Sequence, residues 1–568
     1  MASQSLIALG ASLLAAVALS AMPAAAADEK VDLATVHRIK SEAFQSGKVM
    51  DHLFWLTDAN GPRLTGSPGF RSAADWAVRS LQQWGASKAH LEKWGPFGRG
   101  WSVSRFELHL LEPSYATLHG VPKAWSGGAT GSGELLLAPL FLRSEKDDHR
   151  DLAKVQQHID KFIAANKGKL RGKVVLLDEP RDLESPKEVA SSRYDDASLA
   201  SMVAAPEPVA APAYEWPLSR LPTDPKQLRA LVANLPLEVF ADFWDRSETV
   251  YFPLWTFLKS EGALAAFTND DRGEGGIVFA ESAGGWQPDA PAPPPIIAVV
   301  PESYDRLARL AEKKVPAKVE LDVQVRFNDA AENTVNVIAE IPGTSKKDEV
   351  VMIGAHLDSW QGGTGATDNA AGSAVMMEAF RILKTLNLQM DRTVRIALWS
   401  GEEQGLFGSR GYVKEHFGDP VTLALKSEHA KLDCYFNVDN GTGKIRGVYL
   451  QGNDMARPLF EAWLAPFKDL GAAAISIRNT GGTDHLSFDA VGLPGFQFIQ
   501  DPLDYSSRTH HSDLDVSEHV QASDLMQASA IVASLVYDAA TRKEMMPRKP
   551  LPKPLPPKKA ARADGEGR

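Results

Sequence analysis

Hydrophobic patterning divides the chain into two textures. Beyond residue 319, short apolar runs alternate with helical periodicities. Residues 334–341 alternate like a half-buried strand, whereas VVMIGA (350–355) is the continuous apolar run of a strand covered on both faces. Val375, Ala379, Ile382, Leu383 and Leu386 then mark one face of a helix. VRIALWS (394–400), CYFNV (434–438) and GFQFI (495–499) read as further central strands. Strands alternating with helices predict an α/β fold, a mostly parallel mixed sheet flanked by helices. The stretch 31–91 is helix-rich: Ala73, Ala74, Ala77, Leu81 and Trp84 recur at helical spacing after the turn-forming GSPG of 66–69. From about 120 to 316 the texture changes. Short apolar segments (KVVLLD at 173–178, ALAAFT at 263–268, PIIAVV at 295–300) are separated by Pro/Ala-rich stretches around 204–225 and 288–295. This predicts a separate β-rich domain with long loops.

The two ends do not follow either pattern. Residues 1–27 carry no charge, contain an apolar stretch at 6–19 and close on small residues, which predicts a secretory signal peptide. The expected location is secreted or periplasmic, with no stable membrane span once the signal is removed. Residues 547–568 hold six prolines and seven basic residues against two acidic ones, which predicts a disordered basic tail. The expected organisation is therefore a signal at 1–27, an α/β domain split between 28–119 and 319–546, a β-rich insert at 120–318, and a tail at 547–568.

Composition narrows the chemistry. With 44% hydrophobic and 23% charged residues, the 568-residue chain has ordinary globular values. The formal charge of −11 provides no positive field for nucleic acid. A single cysteine excludes a disulfide framework and a four-thiolate metal site. In a buried strand, Cys434 is expected to be a packed thiol. No G-x-S-x-G elbow, H-E-x-x-H helix or Walker-type phosphate loop is present.

In an open α/β sheet, reactive groups collect beyond the carboxyl ends of strands. His356 and Asp358 follow VVMIGA, Glu402 and Glu403 follow VRIALWS, and Asp439 follows CYFNV. GFQFI leads into a loop with Tyr505, His510 and His511, and Asp368 opens the Val375 helix. Each is unremarkable alone: an acidic turn, a helix N-cap, a polar loop. Together they deliver imidazoles and carboxylates to one sheet edge, where the carboxylates would repel one another without a divalent cation. Imidazole with carboxylate is a ligand set suited to zinc. His485, in GGTDHLSF (481–488), reads equally as a pocket-wall donor or a structural histidine.

With these residues in view, the sequence resembles the co-catalytic zinc exopeptidases, the family of secreted bacterial aminopeptidases and glutamate carboxypeptidases, and within it the plasma glutamate carboxypeptidase branch. The resemblance rests on RLTGSPG (63–69), AHLDS (355–359), GATDNAAG (365–372), SGEEQGLFGS (400–409), NVDNGTG (437–443), GGTDH (481–485) and HHSDLD (510–515). It implies the zinc exopeptidase fold, with the insert as a protease-associated domain, and two Zn2+ per chain. Asp368 would bridge the metals, His356 and Asp439 would complete one, and Glu403 and His511 the other. Glu402 would be the general base, and Asp358 would orient His356. Many relatives place a tyrosine before the last histidine; here His510 stands there, so Tyr505 and His510 are the candidates for that role. His485, Tyr505 and His510 are the expected substrate contacts. The implied substrates are dipeptides or short peptides, and a homodimer is suggested by the resemblance alone. Two other readings share the scaffold: a single-zinc glutaminyl cyclase, separated by metal content and peptidase activity, and a non-catalytic receptor-like protein, separated by a chelator-sensitive peptidase assay.

Overall fold

The computed structural model describes residues 29–182, 191–207, 213–232, 234–329 and 334–559. The expected signal peptide and residues 560–568 of the expected tail lie outside them.

The first sheet contains β1 (Ser87–Lys93), β2 (Val335–Ile341), β3 (Lys346–His356), β4 (Arg392–Trp399), β5 (Leu432–Asn437), β6 (Ile445–Tyr449), β7 (Ala474–Ser476) and β8 (Gly495–Gln500). Their spatial order is β1-β2-β4-β3-β5-β8-β6-β7. The four central strands β4, β3, β5 and β8 are mutually parallel, while β1, β2 and β6 pair antiparallel to neighbours at the flanks. The alternation along each strand separates two cores. Val351, Ile353 and Ala355 of β3 face helices α1 (Leu33–Gln45), α2 (Val49–Leu56), α3 (Pro68–Gln83), α4 (Ala371–Thr385) and α5 (Ala522–Thr541). Val350 and Met352 face Trp399, Tyr412, Phe417 and Phe488 on the other side. Burial on both faces is why the central strands read as unbroken apolar runs.

One strand departs from its pattern. β2 was expected to be half-buried, yet all seven residues are buried. Its polar positions are satisfied inside: Asn336 donates to the Gly408 carbonyl (3.0 Å), and Glu340 accepts from Arg395 (2.6 Å). A polar residue in an alternating pattern can thus be a buried hydrogen-bonding group.

A second eight-stranded sheet is interposed in the chain between β1 and β2. It runs beyond the expected 120–318. Strands Arg99–Glu112 and Lys318–Asp329 pair from Arg99↔Asp329 to Glu112↔Lys318, so the unit spans 99–329. It is also less purely β than its texture suggests. Strands Ala129–Leu137, Val174–Leu176, Ala265–Thr268 and Ile296–Val299 are parallel neighbours, with helices Leu152–Asn166, Leu237–Thr249, Phe252–Ser260 and Pro301–Glu312 in the same unit.

The tail is a second correction. Its described part, 547–559, is laid along the surface by specific contacts despite its composition. Asn453 donates to the Pro547 carbonyl (2.7 Å), Lys549 pairs with Asp489 (2.5 Å), and the Leu555 amide donates to the Val421 carbonyl (2.9 Å). Proline fixes φ, so ordering such a segment loses little backbone entropy.

The N-terminal helices are anchored by a buried charge. Glu378 of α4 accepts from Arg381 (2.8 Å to each oxygen), lies 3.0 Å from His52 Nε2 and caps the Lys48 amide (2.9 Å). Arg381 reaches on to Glu42 of α1 (2.9 Å). Burial alone would raise the Glu378 carboxyl, but Arg381 and His52 outweigh it and hold it at about 2, below its ordinary 4.5. A depressed carboxyl contributes stability above its unfolded pKa, and that contribution is lost as pH falls through the folded value. Glu378→Gln is therefore expected to lower stability by about 3 kcal/mol at neutral pH, with the deficit closing between about pH 4.5 and 2 in denaturant melts.

Candidate metal centre

The expected chemical groups gather at the carboxyl edge of β4, β3, β5 and β8. β3 ends on His356, and Asp358 follows in the next loop. β4 turns directly into Glu402 and Glu403, β5 into Asp439, and β8 into the loop carrying Tyr505, His510 and His511. Asp368 sits just before α4, where its peptide bond to Asn369 is cis. The glycine-rich stretch before it lets backbone pack closely. Gly365 has φ +70°, and a Cβ there would lie 2.3 Å from the Ser359 side chain.

Two groupings share Asp368. His356 Nε2 lies 3.1 Å from Asp368 Oδ1 and 3.4 Å from Asp439 Oδ1. His511 Nε2 lies 3.0 Å from Glu403 Oε2 and 3.4 Å from Asp368 Oδ2. Glu402 stands further off, with Oε2 3.9 Å from His356 Nε2. His510 Nε2 is 3.8 Å from Asp368 Oδ2, and its ring lies 3.8 Å, centroid to centroid, from that of His511.

These side chains fit a bound cation. His356 Nε2, Asp368 Oδ2 and Glu403 Oε1 are buried and make no hydrogen bond. Donor atoms of His356, Asp368 and Glu403, and of His356, Glu402 and Asp439, lie within 4.8 Å of one another. With His510 kept neutral by burial and the neighbouring His511, His356, His511 and the Arg63 guanidinium do not balance the five carboxylates Asp358, Asp368, Glu402, Glu403 and Asp439. Burial, together with Asp439, Asp484 and Glu403, pushes the Glu402 carboxyl well up. Burial and Asp368 push Glu403 to about 8. For Asp368, burial is outweighed by His356 and His511, which hold it well below the usual range. Divalent cations would supply the missing positive charge.

A rigid shell of hydrogen bonds holds the groups. Asp358 sits beside His356 chiefly through its carbonyl, 3.1 Å from Nδ1, with its carboxylate at 3.5 Å. That carboxylate accepts from Thr65 (2.8 Å) and from the Glu402 and Glu403 amides (3.4 Å each), tying two loops together. Arg63, fully buried, donates to the carbonyls of Leu56, Leu357, Thr364 and Gly365. Asp515 accepts from the Thr367 amide (2.5 Å) and so fixes the loop of Asp368. A buried polar chain runs from Trp399 through Tyr435 and Asn437 to Gln497, whose amide donates to the Asp439 carbonyl (2.7 Å).

A cavity of about 340 Å³ opens on the cluster. Tyr505 and His510 line it. His485 does not. It is fully buried, with Nε2 3.2 Å from the Thr480 carbonyl, and burial lowers its pKa to about 4. Of its two sequence readings, the structural one describes its position; its neighbours Thr483 and Leu486 reach the wall instead. Two contributions went unread in the sequence. Helix Leu237–Thr249 of the 99–329 unit brings Leu237, Phe240, Ala241 and Trp244 to the wall. Glu281, from the same unit, places Oε1 2.7 Å from His511 Nδ1. The apolar spacing of Leu237, Phe240 and Trp244 could have marked a helix face, whereas nothing local to Glu281 distinguishes it from other acidic residues.

Residues 336–536 match Peptidase family M28. Over 255 residues the chain is 30% identical to carboxypeptidase Q of Bos taurus, covering 45% of this chain and 51% of that protein. Over 260 residues it is 27% identical to aminopeptidase YwaD of Bacillus subtilis, covering 45% and 53%. The chain thus spans about half the length of these curated relatives. A peptidase M28 precursor from Shewanella amazonensis has the same fold, with a TM-score of 0.59 at 23% identity over 92% of this chain and 98% of that one. The stretch that bears most of the carboxylate–imidazole cluster is thus similar to peptidase family M28.

Proposed function

We propose that this protein is a secreted zinc exopeptidase that hydrolyses dipeptides or removes terminal residues from short peptides. The observation that carries the reading is the paired grouping around Asp368, with Glu402 beside Glu403 at the mouth of one cavity. Asp368 would bridge two zinc ions, His356 and Asp439 completing one site, Glu403 and His511 the other. Bound there, zinc supplies Lewis acidity to a scissile carbonyl and acidifies water. Glu402 takes the proton from the attacking water and returns it to the leaving amine. Its adjacency to Glu403 gives one carboxylate to the metal and leaves its neighbour available for proton transfer. Tyr505 and His510, on the same wall, are the donors for charge developing on the carbonyl oxygen.

Secretion is supported by the uncharged, apolar 1–27. The interposed 99–329 unit is proposed to be a protease-associated domain that also builds part of the substrate cavity. Leu237, Phe240, Trp244, Leu406 and Leu486 line that cavity, and among the described residues no lysine or arginine lines it. This supports apolar over acidic substrate side chains.

Glu402→Gln is expected to lower turnover by about 100-fold or more with zinc content unchanged, whereas Glu403→Ala loses metal. Both are read by metal analysis beside a peptidase assay, and full activity in Glu402→Gln overturns the base assignment. In a scan of free, N-blocked and C-amidated dipeptides, chelator is expected to abolish hydrolysis. Apolar side chains should be preferred over acidic ones by roughly tenfold or more. Hydrolysis that persists in chelator excludes the zinc reading, and two zinc per chain with peptide hydrolysis separates it from a glutaminyl cyclase.

A further inference from the structure

The two candidate imidazole ligands are held in different ways. His356 is oriented from within its own loop, by Asp358 two residues away. His511 has no such local partner in its own loop; its Nδ1 meets Glu281, 230 residues distant in the chain and part of the 99–329 unit. The contact is short, 2.7 Å, and lies on the side of the ring opposite Nε2, which is 3.0 Å from Glu403 and 3.4 Å from Asp368.

The backbone around this pair is clamped as well. The Ala280 amide donates to the His511 carbonyl (3.0 Å), and the Asp513 amide to the Val278 carbonyl (3.0 Å). The Val278 amide returns a bond to Asp513 Oδ1 (2.9 Å), and Phe279 pairs with Ser512. This short antiparallel seam holds His511 at φ +67°, a conformation that a non-glycine residue adopts only under support. Glu281 is itself steadied. Arg272 lies 3.6 Å from its carboxylate and stacks on Phe279, while the Glu281 carbonyl accepts from Gln361 (3.2 Å) and the Ala124 amide (3.0 Å).

We infer that Glu281 is a positioning residue for the metal centre: it accepts the Nδ1 proton of His511, fixing the tautomer that presents the Nε2 lone pair toward Glu403 and Asp368. A carboxylate on the far nitrogen of a ligating imidazole both orients the ring and raises its basicity. The inference rests on the two-zinc reading above and adds to it that the interposed unit completes one of the two sites. The 99–329 unit then does more than cover the cavity, because one zinc depends on it.

The test measures zinc retained by the full chain after dialysis against graded chelator, in wild type, Glu281→Ala, Glu281→Gln and the exposed control Glu134→Ala, with thermal unfolding of each metal-free form. Glu281→Ala is expected to loosen one zinc equivalent by about 10–100-fold and leave the other in place, with metal-free unfolding unchanged. Glu281→Gln keeps an acceptor and should loosen it less; being isosteric, it carries the test if the alanine variant does not fold. Retention of both equivalents at wild-type affinity in Glu281→Ala and Glu281→Gln overturns the inference. So does loss of both together with a lowered metal-free melting temperature, the mark of a purely structural role. A wild-type chain that holds no zinc overturns the underlying two-zinc reading, an outcome distinct from either.

Discussion

Five carboxylates and two imidazoles crowded together at one sheet edge impose the constraint on which the rest of the structure depends. Carboxylates out of water repel one another, and burial pushes the Glu402 and Glu403 carboxyls up. The fold keeps them together by giving each loop several independent anchors. Arg63 carries positive charge beside the cluster while bracing the carbonyls of Leu357, Thr364 and Gly365 in the loops and of Leu56 at the end of α2. Asp358 and Asp515 each bind backbone amides of a neighbouring loop, so no single side chain can relax without moving another. What remains unbalanced is the negative charge facing the cavity, and that is where a divalent cation fits.

The second unit is coupled to this edge by more than chain connectivity. Phe97, Trp101, Trp125, Trp286 and Trp360, with Leu64, form one buried apolar cluster that joins the loop after β3 to the interposed strands. Trp360 in turn packs edge-on to His511, with ring centroids 5.9 Å apart. Helix Leu237–Thr249 extends the same coupling to the cavity wall. It is held to the first unit by Arg410 on Glu238, and to the C-terminal segment by Lys558 on Asp242. Dense aromatic packing and charge pairs at this boundary make relative movement of the two units costly near the site.

Much of this was legible in the sequence because it was local. Period-two alternation and unbroken apolar runs located β2, β3, β4, β5 and β8, and residues just past four of those strands had to emerge at one edge. The strand pattern brings His356, Glu403 and Asp439 to that edge and the helix start brings Asp368, whereas preferring His511 to His510 rests on the family resemblance. The unread features are those fixed by distant pairing. The boundary at 99–329 depends on which strand Arg99–Glu112 pairs with, which no periodicity encodes. Glu281 acquires its place only when the segment 278–281 lies beside 510–513. The segment 547–559 reads as disordered by composition, because its order comes from partners such as Asp489 and Val421 rather than from its own pattern. His485 was ambiguous for the related reason that burial is not written in the residue itself.

Diffraction from zinc-loaded crystals, with anomalous data collected at the zinc edge, tests the central claim most directly. The account predicts two peaks roughly 3.5–4 Å apart, one contacted by His356 and Asp439, the other by Glu403 and His511, with Asp368 touching both. A single peak, or density at any other group of side chains, would contradict it.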